Sequence, residues 1–143
     1  MILLVEDNDD HAFLIKKALR SHGLTNDIRV SPTGEEALDY LFRRGKYADP
    51  AASPRPGLIL LDIRLPGMDG LEVLRIIKQD EKLRTIPVCM LTTSAQLSDL
   101  VASYTHGVNS YVQKPVDFGK FVETVRGLGS YWVDTNVPPP EAA

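Results

Sequence analysis

The stretch LILLDIRLPGMDG (residues 58–70) decides the fold. Four large aliphatic residues run straight into Asp62, and a Pro66-Gly67 turn follows. A strand formed by LILL has no polar face, so both of its faces are buried, as in a parallel sheet covered by helices. Its end on a carboxylate needs a separate reason, because a charge at the mouth of a core is costly unless it is paired.

Working outward, ILLV (2–5) and PVCML (87–91) share this doubly apolar character, while DIRV (27–30) and SYV (110–112) read as more mixed strands. Between them, segments 9–21, 34–43, 70–79, 98–105 and 117–128 carry apolar residues at helical spacing. In 70–79, for instance, Leu71, Leu74 and Ile77 or Lys78 form one stripe with Val73 beside it. Five strands alternating with five helices predict an α/β, flavodoxin-like doubly wound (βα)5 sandwich, its parallel sheet in the order 2-1-3-4-5.

With 143 residues, 43% of them hydrophobic, the chain has material for one core and no room for a second. The expected organisation is one domain over 1–131 and a Pro-rich tail over 132–143, extended or disordered from Asn136. Residues 44–57, RGKYADPAASPRPG, read as a long loop, either a surface insertion or a partner contact. A net charge of −3 with interspersed signs argues against direct binding to nucleic acid or to anionic lipid. The lone Cys89 suits a reducing compartment and reads as a small core residue. No apolar window reaches membrane-spanning length, so a cytoplasmic location is expected.

In an open parallel sheet, ligands sit beyond the carboxyl ends of the strands where the strand order reverses. Glu6 and Asp7 end the first strand and Asp62 ends the neighbouring third, so three carboxylates converge. Two like charges about 4 Å apart repel by roughly 4 kcal/mol at an effective dielectric near 20, which calls for a cation. Hard oxygen donors without a Cys/His set favour Mg²⁺ or Mn²⁺ over zinc, and Ala12, where an EF-hand loop begun at Asp7 needs glycine, argues against calcium. Thr92 ends the fourth strand and Lys114 follows the fifth, supplying a hydroxyl and an ammonium to the same rim. Such a set can support attack of the Asp62 carboxylate on phosphorus.

Glu6-Asp7, Asp62, Thr92 and Lys114-Pro115, each at the end of the expected strand, resemble the receiver domain of two-component response regulators over residues 2–129. The resemblance implies phosphoryl transfer from a sensor histidine kinase to Asp62, with the metal held by Asp7, Asp62 and the backbone carbonyl of Arg64, and by Glu6 through water. It also implies that Thr92 bonds a phosphoryl oxygen, that Lys114 pairs with phosphate, that Tyr111 is the aromatic switch, and that the Lys114–Pro115 peptide is cis. The Ala/Pro loop, the run SYTHGVNSYVQKPVDF and the 132–140 tail are similar to small single-domain regulators serving bacterial and cyanobacterial phytochromes. That likeness implies a bacteriophytochrome partner and a homodimer through the fourth helix, fifth strand and fifth helix, a face including Leu100, Tyr104, Tyr111, Phe118, Phe121 and Val125. Core packing is the competing reading for the helical run Phe118, Phe121, Val122 and Val125.

Arg64 departs from the smaller polar residue common two places after the acceptor, and a long cation there could screen the phosphoryl group or gate water. His11, His22 and His106 have no metal-site spacing and read as exposed or capping residues. A flavin carrier would need a glycine- and hydroxyl-rich loop where EDNDD stands, and an aspartyl phosphatase would need an acid at Arg64. The reading is therefore a phosphoacceptor signalling protein rather than an enzyme; the alternative is a receiver-like docking module that works without phosphorylation.

Overall fold

The structure, a computed structural model, describes residues 1–21 and 23–140. Five βα units follow one another: β1 (Ile2–Val5), α1 (Asp9–Ser21), β2 (Ile28–Ser31), α2 (Gly34–Leu41), β3 (Leu58–Leu61), α3 (Gly70–Gln79), β4 (Val88–Thr92), α4 (Leu97–Thr105), β5 (Ser110–Gln113) and α5 (Phe118–Gly129). All pairings are parallel and the order is β2-β1-β3-β4-β5. Every residue of β1, β3 and β4 is buried. On one face Leu3, Val5, Ile59 and Leu61 meet Leu38, Leu74 and Ile77 of α2 and α3; on the other Ile2, Leu4, Leu58 and Leu60 meet Ile15 and Leu19 of α1 and Phe121 and Val125 of α5.

Local chemistry sets the element ends. The side chains of Thr33, Asp69 and Asp117 accept the backbone N–H groups of Glu36, Glu72 and Lys120, capping α2, α3 and α5. Asp117 is thus a cap rather than the first helical residue. The second helix, expected to reach Arg43, stops at Leu41 because the chain turns left-handed at Arg43, with φ 55°. β4 starts at Val88 because Pro87 has no N–H to give a ladder, and it extends to include Thr92. β2 and β5 each run one residue past the expected end, to Ser31 and Gln113, and α4 opens at Leu97 rather than Ser98.

The 44–57 loop is anchored at several points. The Arg29 guanidinium lies over the rings of Tyr40 and Tyr47, 4.9 and 5.5 Å from their centroids. Tyr47 donates its hydroxyl to Glu36 at 2.8 Å, and Tyr40 donates its hydroxyl to the Pro54 carbonyl at 2.6 Å. Ser53 is buried, its hydroxyl 2.9 Å from the Tyr47 and Asp49 carbonyls. Beyond α5 the chain winds on through Ser130–Thr135 in wider turns, where Trp132 and Val133 pack against the α1/α5 side of the core. Residues 137–140 are without regular structure; the tail's last three residues and His22 lie outside the described residues.

α5 corrects two residues of the expected dimer face, while α4 presents an outward apolar stripe. The buried residues of α4 are Asp99 and Ser103, while Leu97, Val101 and Tyr104 are 72%, 57% and 54% exposed. Phe121 and Val125 are core residues, 5% and 0% exposed, because α5 turns that stripe toward α1 and the sheet. Of the expected face, Tyr104 and Phe118 are exposed and Leu100 and Tyr111 half-buried. No helix among the described residues is long and apolar enough to cross a membrane.

Candidate functional site

The pairing of Val5 with Leu61 sets Glu6 and Asp62 side by side just beyond β1 and β3. Asp62 donates its N–H to the Val5 carbonyl at 3.1 Å, and Glu6 donates its own to Ser31 at 3.1 Å. One carboxylate oxygen each from Glu6, Asp7 and Asp62 lies within 4.8 Å of the others; Glu6 and Asp62 are buried and Asp7 is exposed. α3 presses against this rim from behind. Gly70 donates to the Ile63 carbonyl at 2.7 Å, and a Cβ at position 70 would stand 2.0 Å from the Asp62 carbonyl oxygen. Only glycine allows that approach.

Lys114 enters from the end of β5, its N–H bonded to the Thr92 carbonyl at 2.6 Å. Its buried ammonium donates to Asp62 Oδ2 at 3.1 Å, to Glu6 Oε1, and faces His11 Nδ1 at 3.0 Å. Burial pushes the Glu6 carboxyl up to about 6, against the pull of the Lys114 ammonium. Burial also lowers His11, reinforced by the same ammonium. One ammonium among three carboxylates leaves two negative charges in excess. The donor set therefore fits a divalent cation bound through hard oxygens.

Thr92 stands on the same rim, fully buried, its Oγ1 accepting the Ser94 N–H at 3.3 Å. Tyr111, opposite Met90 in β5, is half-buried and donates its hydroxyl to the Ser94 carbonyl at 3.0 Å. Arg64 keeps its backbone N–H on Asp62 Oδ1 at 3.3 Å, but its guanidinium turns away, reaching Asp99 Oδ2 at 2.6 Å and Gln96 Oε1 at 3.4 Å. The Lys114–Pro115 peptide is trans, which corrects the expected cis bond. An X–Pro bond favours trans by only about 0.5–1 kcal/mol, and the fully exposed Val116 beyond it provides no packing to reverse that preference.

Three residues of this neighbourhood escape the sequence reading: His11, Gly70 and Asp99. His11 lies in the first turn of α1, four residues after Asp7 in the turn that precedes the helix, which brings its ring over the site. Gly70 reads as a helix start, three residues after the Gly67 of the turn. Nothing in the pattern of α4 marks Asp99.

The description "Response regulator receiver domain" matches residues 2–126. The chain belongs to this family. It is 44% identical over 139 residues to the probable methanogenesis regulatory protein FilR2 of Methanothrix harundinacea, covering 97% of this chain and 87% of that protein. It is 39% identical over 139 residues to the response regulator Rcp1 of Synechocystis, covering 97% and 92%. Superposed on the Mn²⁺-bound form of Rcp1, it gives a TM-score of 0.91 over 97% of this chain and 98% of that one. On the phosphorylated cyanobacterial phytochrome response regulator RcpA the TM-score is 0.92 at 39% identity, covering 97% of each chain. The flavodoxin-like receiver fold, the role in two-component signalling and the suitability of the acidic cluster for Mg²⁺ or Mn²⁺ are thereby established.

Proposed function

We propose that this receiver takes a phosphoryl group from the phosphohistidine of a sensor kinase onto Asp62. The observation that carries the reading is the placement of the Lys114 ammonium 3.1 Å from Asp62 Oδ2, across from Glu6 and Asp7. An Asp62 oxygen bonds to phosphorus as the phosphorus–nitrogen bond breaks, the electron pair staying on the imidazole. Lys114 offsets charge on the phosphoryl oxygens, Thr92 donates its hydroxyl to one of them, and Tyr111 reports the change through its place beside Ser94. Asp7, Asp62 and the Arg64 carbonyl, with Glu6 behind them, would hold Mg²⁺ or Mn²⁺, which when bound supplies further positive charge at the phosphoryl group. The protein is a signalling phosphoacceptor that assists only its own phosphorylation and dephosphorylation.

The likeness to RcpA and Rcp1 supports a phytochrome-type histidine kinase as donor. The outward apolar stripe Leu97, Val101 and Tyr104 on α4, with the exposed Phe118 on α5, supports a homodimer through the α4–β5–α5 face rather than contact with nucleic acid or membrane. We place the receiver at 1–131, the tail at 132–143, and the protein in the cytoplasm. Intact mass after incubation with acetyl phosphate tests the central step. A single phosphate adduct is expected with Mg²⁺, lost with chelator and absent from Asp62→Asn. No adduct under any condition would leave the phosphorylation-independent docking module as the reading.

A further inference from the structure

Arg64 touches two acids, its backbone N–H on Asp62 two residues before it and its guanidinium on Asp99 35 residues after it. Its present partner, Asp99, lies in the first turn of α4 and is only 6% exposed, and Arg64 is its ion-pair partner among the described residues. The same oxygen, Asp99 Oδ2, accepts the Ser94 hydroxyl at 2.5 Å, and the Ser94 carbonyl accepts the Tyr111 hydroxyl at 3.0 Å. The Asp99 backbone carbonyl accepts the Ser103 hydroxyl at 2.7 Å. Gln96, at the N-cap of α4, makes no side-chain cap bond, and its Oε1 is 3.4 Å from Arg64. The start of α4 is therefore held from β3's side of the site by one arginine, not by its own cap.

We propose that Arg64 and Asp99 form a latch whose arginine changes partner when Asp62 is phosphorylated, loosening the start of α4 and guarding the phosphoryl group. This rests on Asp62 being the phosphoacceptor. The phosphoryl group brings a charge of about −1.5 to −2 and three strong acceptor oxygens to a residue whose carboxylate already holds the Arg64 N–H. The planar guanidinium fork matches those oxygens, and the Arg64 side chain, 53% exposed, is free to swing. Asp99 offers a single charge and keeps only Ser94 once the arginine leaves. Its loss of a cation in a buried place disfavours the present start of α4, and Ser94 passes the change to Tyr111. On the phosphoryl oxygens, the guanidinium screens phosphorus from water. Loss of the group requires a water oxygen to bond to phosphorus while the bond to Asp62 breaks, its electron pair returning to the carboxylate and the water protons leaving with phosphate.

The test is the half-life of the phosphate adduct, followed by intact mass after removal of acetyl phosphate in Mg²⁺ buffer, for wild type, Arg64→Ala, Arg64→Lys, Asp99→Asn and the Ala/Asn double variant. Asp99→Asn, which frees the arginine, should lengthen the half-life by about two- to thirtyfold, and Arg64→Ala should shorten it by a similar factor. Arg64→Lys should fall between wild type and Arg64→Ala, and the double variant should match Arg64→Ala. A merely structural role would move both single variants in one direction; the same direction, or no change in Arg64→Ala, rejects the latch. Amide exchange over 94–103 provides a second reading: it should rise on phosphorylation in wild type and be high beforehand in Asp99→Asn, and an unchanged wild type also rejects the latch. Failure of wild type to form any adduct removes the phosphoacceptor reading itself, and the latch with it.

Discussion

The two halves of the site are built on opposite terms. At the centre of the sheet, Glu6, Asp7 and Asp62 extend from strands whose every residue is buried, and Gly70 lets α3 close on the Asp62 backbone. At the β4–β5 edge, Ser110, Tyr111 and Val112 are half-buried, Gln113 is exposed, and α4 turns its polar residues inward and its apolar ones out. A fixed centre suits chemistry that needs charges held in place, whereas a thinly packed edge suits an element that must take two positions at small cost. The edge is nonetheless fixed at its other end. Asn109 Oδ1 accepts the Val88 N–H and the Lys78 ammonium, both at 2.9 Å, tying β4 and β5 together where they begin.

The largest effect that separates the halves is a cavity in the centre. Leu60→Ala, at a fully buried β3 position, should lower stability by about 2–5 kcal/mol, measured by urea denaturation. Val112→Ala, half-buried on β5, should cost less than about 1.5 kcal/mol. Equal losses would break the comparison. Gly70→Ala comes next: a Cβ 2.0 Å from the Asp62 carbonyl should cost about 1–3 kcal/mol as α3 backs away. Because that retreat displaces the Asp62 backbone, adduct formation from acetyl phosphate should fall more than in Val112→Ala. A Gly70→Ala protein phosphorylated at the wild-type rate would show that α3 does not position the acceptor.

The same division explains what could be read before the fold was known. The centre is legible because doubly apolar strands ending on acids leave few arrangements, of which the order 2-1-3-4-5 brings Glu6, Asp7, Asp62, Thr92 and Lys114 to one rim. Edge features depend on which way a side chain turns. Sequence position lets Arg64 reach toward a phosphoryl group but does not show that its guanidinium meets Asp99 35 residues on, and an exposed or capping reading of His11 does not show that it faces Lys114 across 103 residues. Helical periodicity grouped Phe118, Phe121 and Val125 but did not say that α1 covers the last two. Polar composition hid the anchoring of the 44–57 loop, where Tyr47 is the one aromatic. Tyr47→Phe, which removes the hydroxyl bonded to Glu36, should lower stability by about 1 kcal/mol, and proteolysis within 48–56 should speed up. An unchanged cleavage rate would mean that the arginine–tyrosine stack and the Tyr40 and Ser53 hydroxyls hold the loop without it.

The smallest effect tests the fixed end of the edge. The Lys78 ammonium donates to the carbonyls of Arg84 and Ile86 and to Asn109 Oδ1, at 3.0, 2.9 and 2.9 Å. Burial nevertheless lowers its pKa from 10.5 to about 8. A lysine whose pKa is depressed on folding binds its proton more tightly in the unfolded chain, so between about pH 8 and 10.5 the unfolded state carries more proton at this site. Stability contributed here therefore rises with pH across that window and is flat below it. Lys78→Met removes the group and its slope. The wild-type minus Lys78→Met difference in urea midpoint should accordingly move in favour of wild type from pH 7.5 to 10, since the other titrating groups are common to both proteins. A difference constant with pH would mean that the three acceptors offset the burial in full, making the anchor at the start of β4 and β5 as indifferent to charge as the core of β1 and β3.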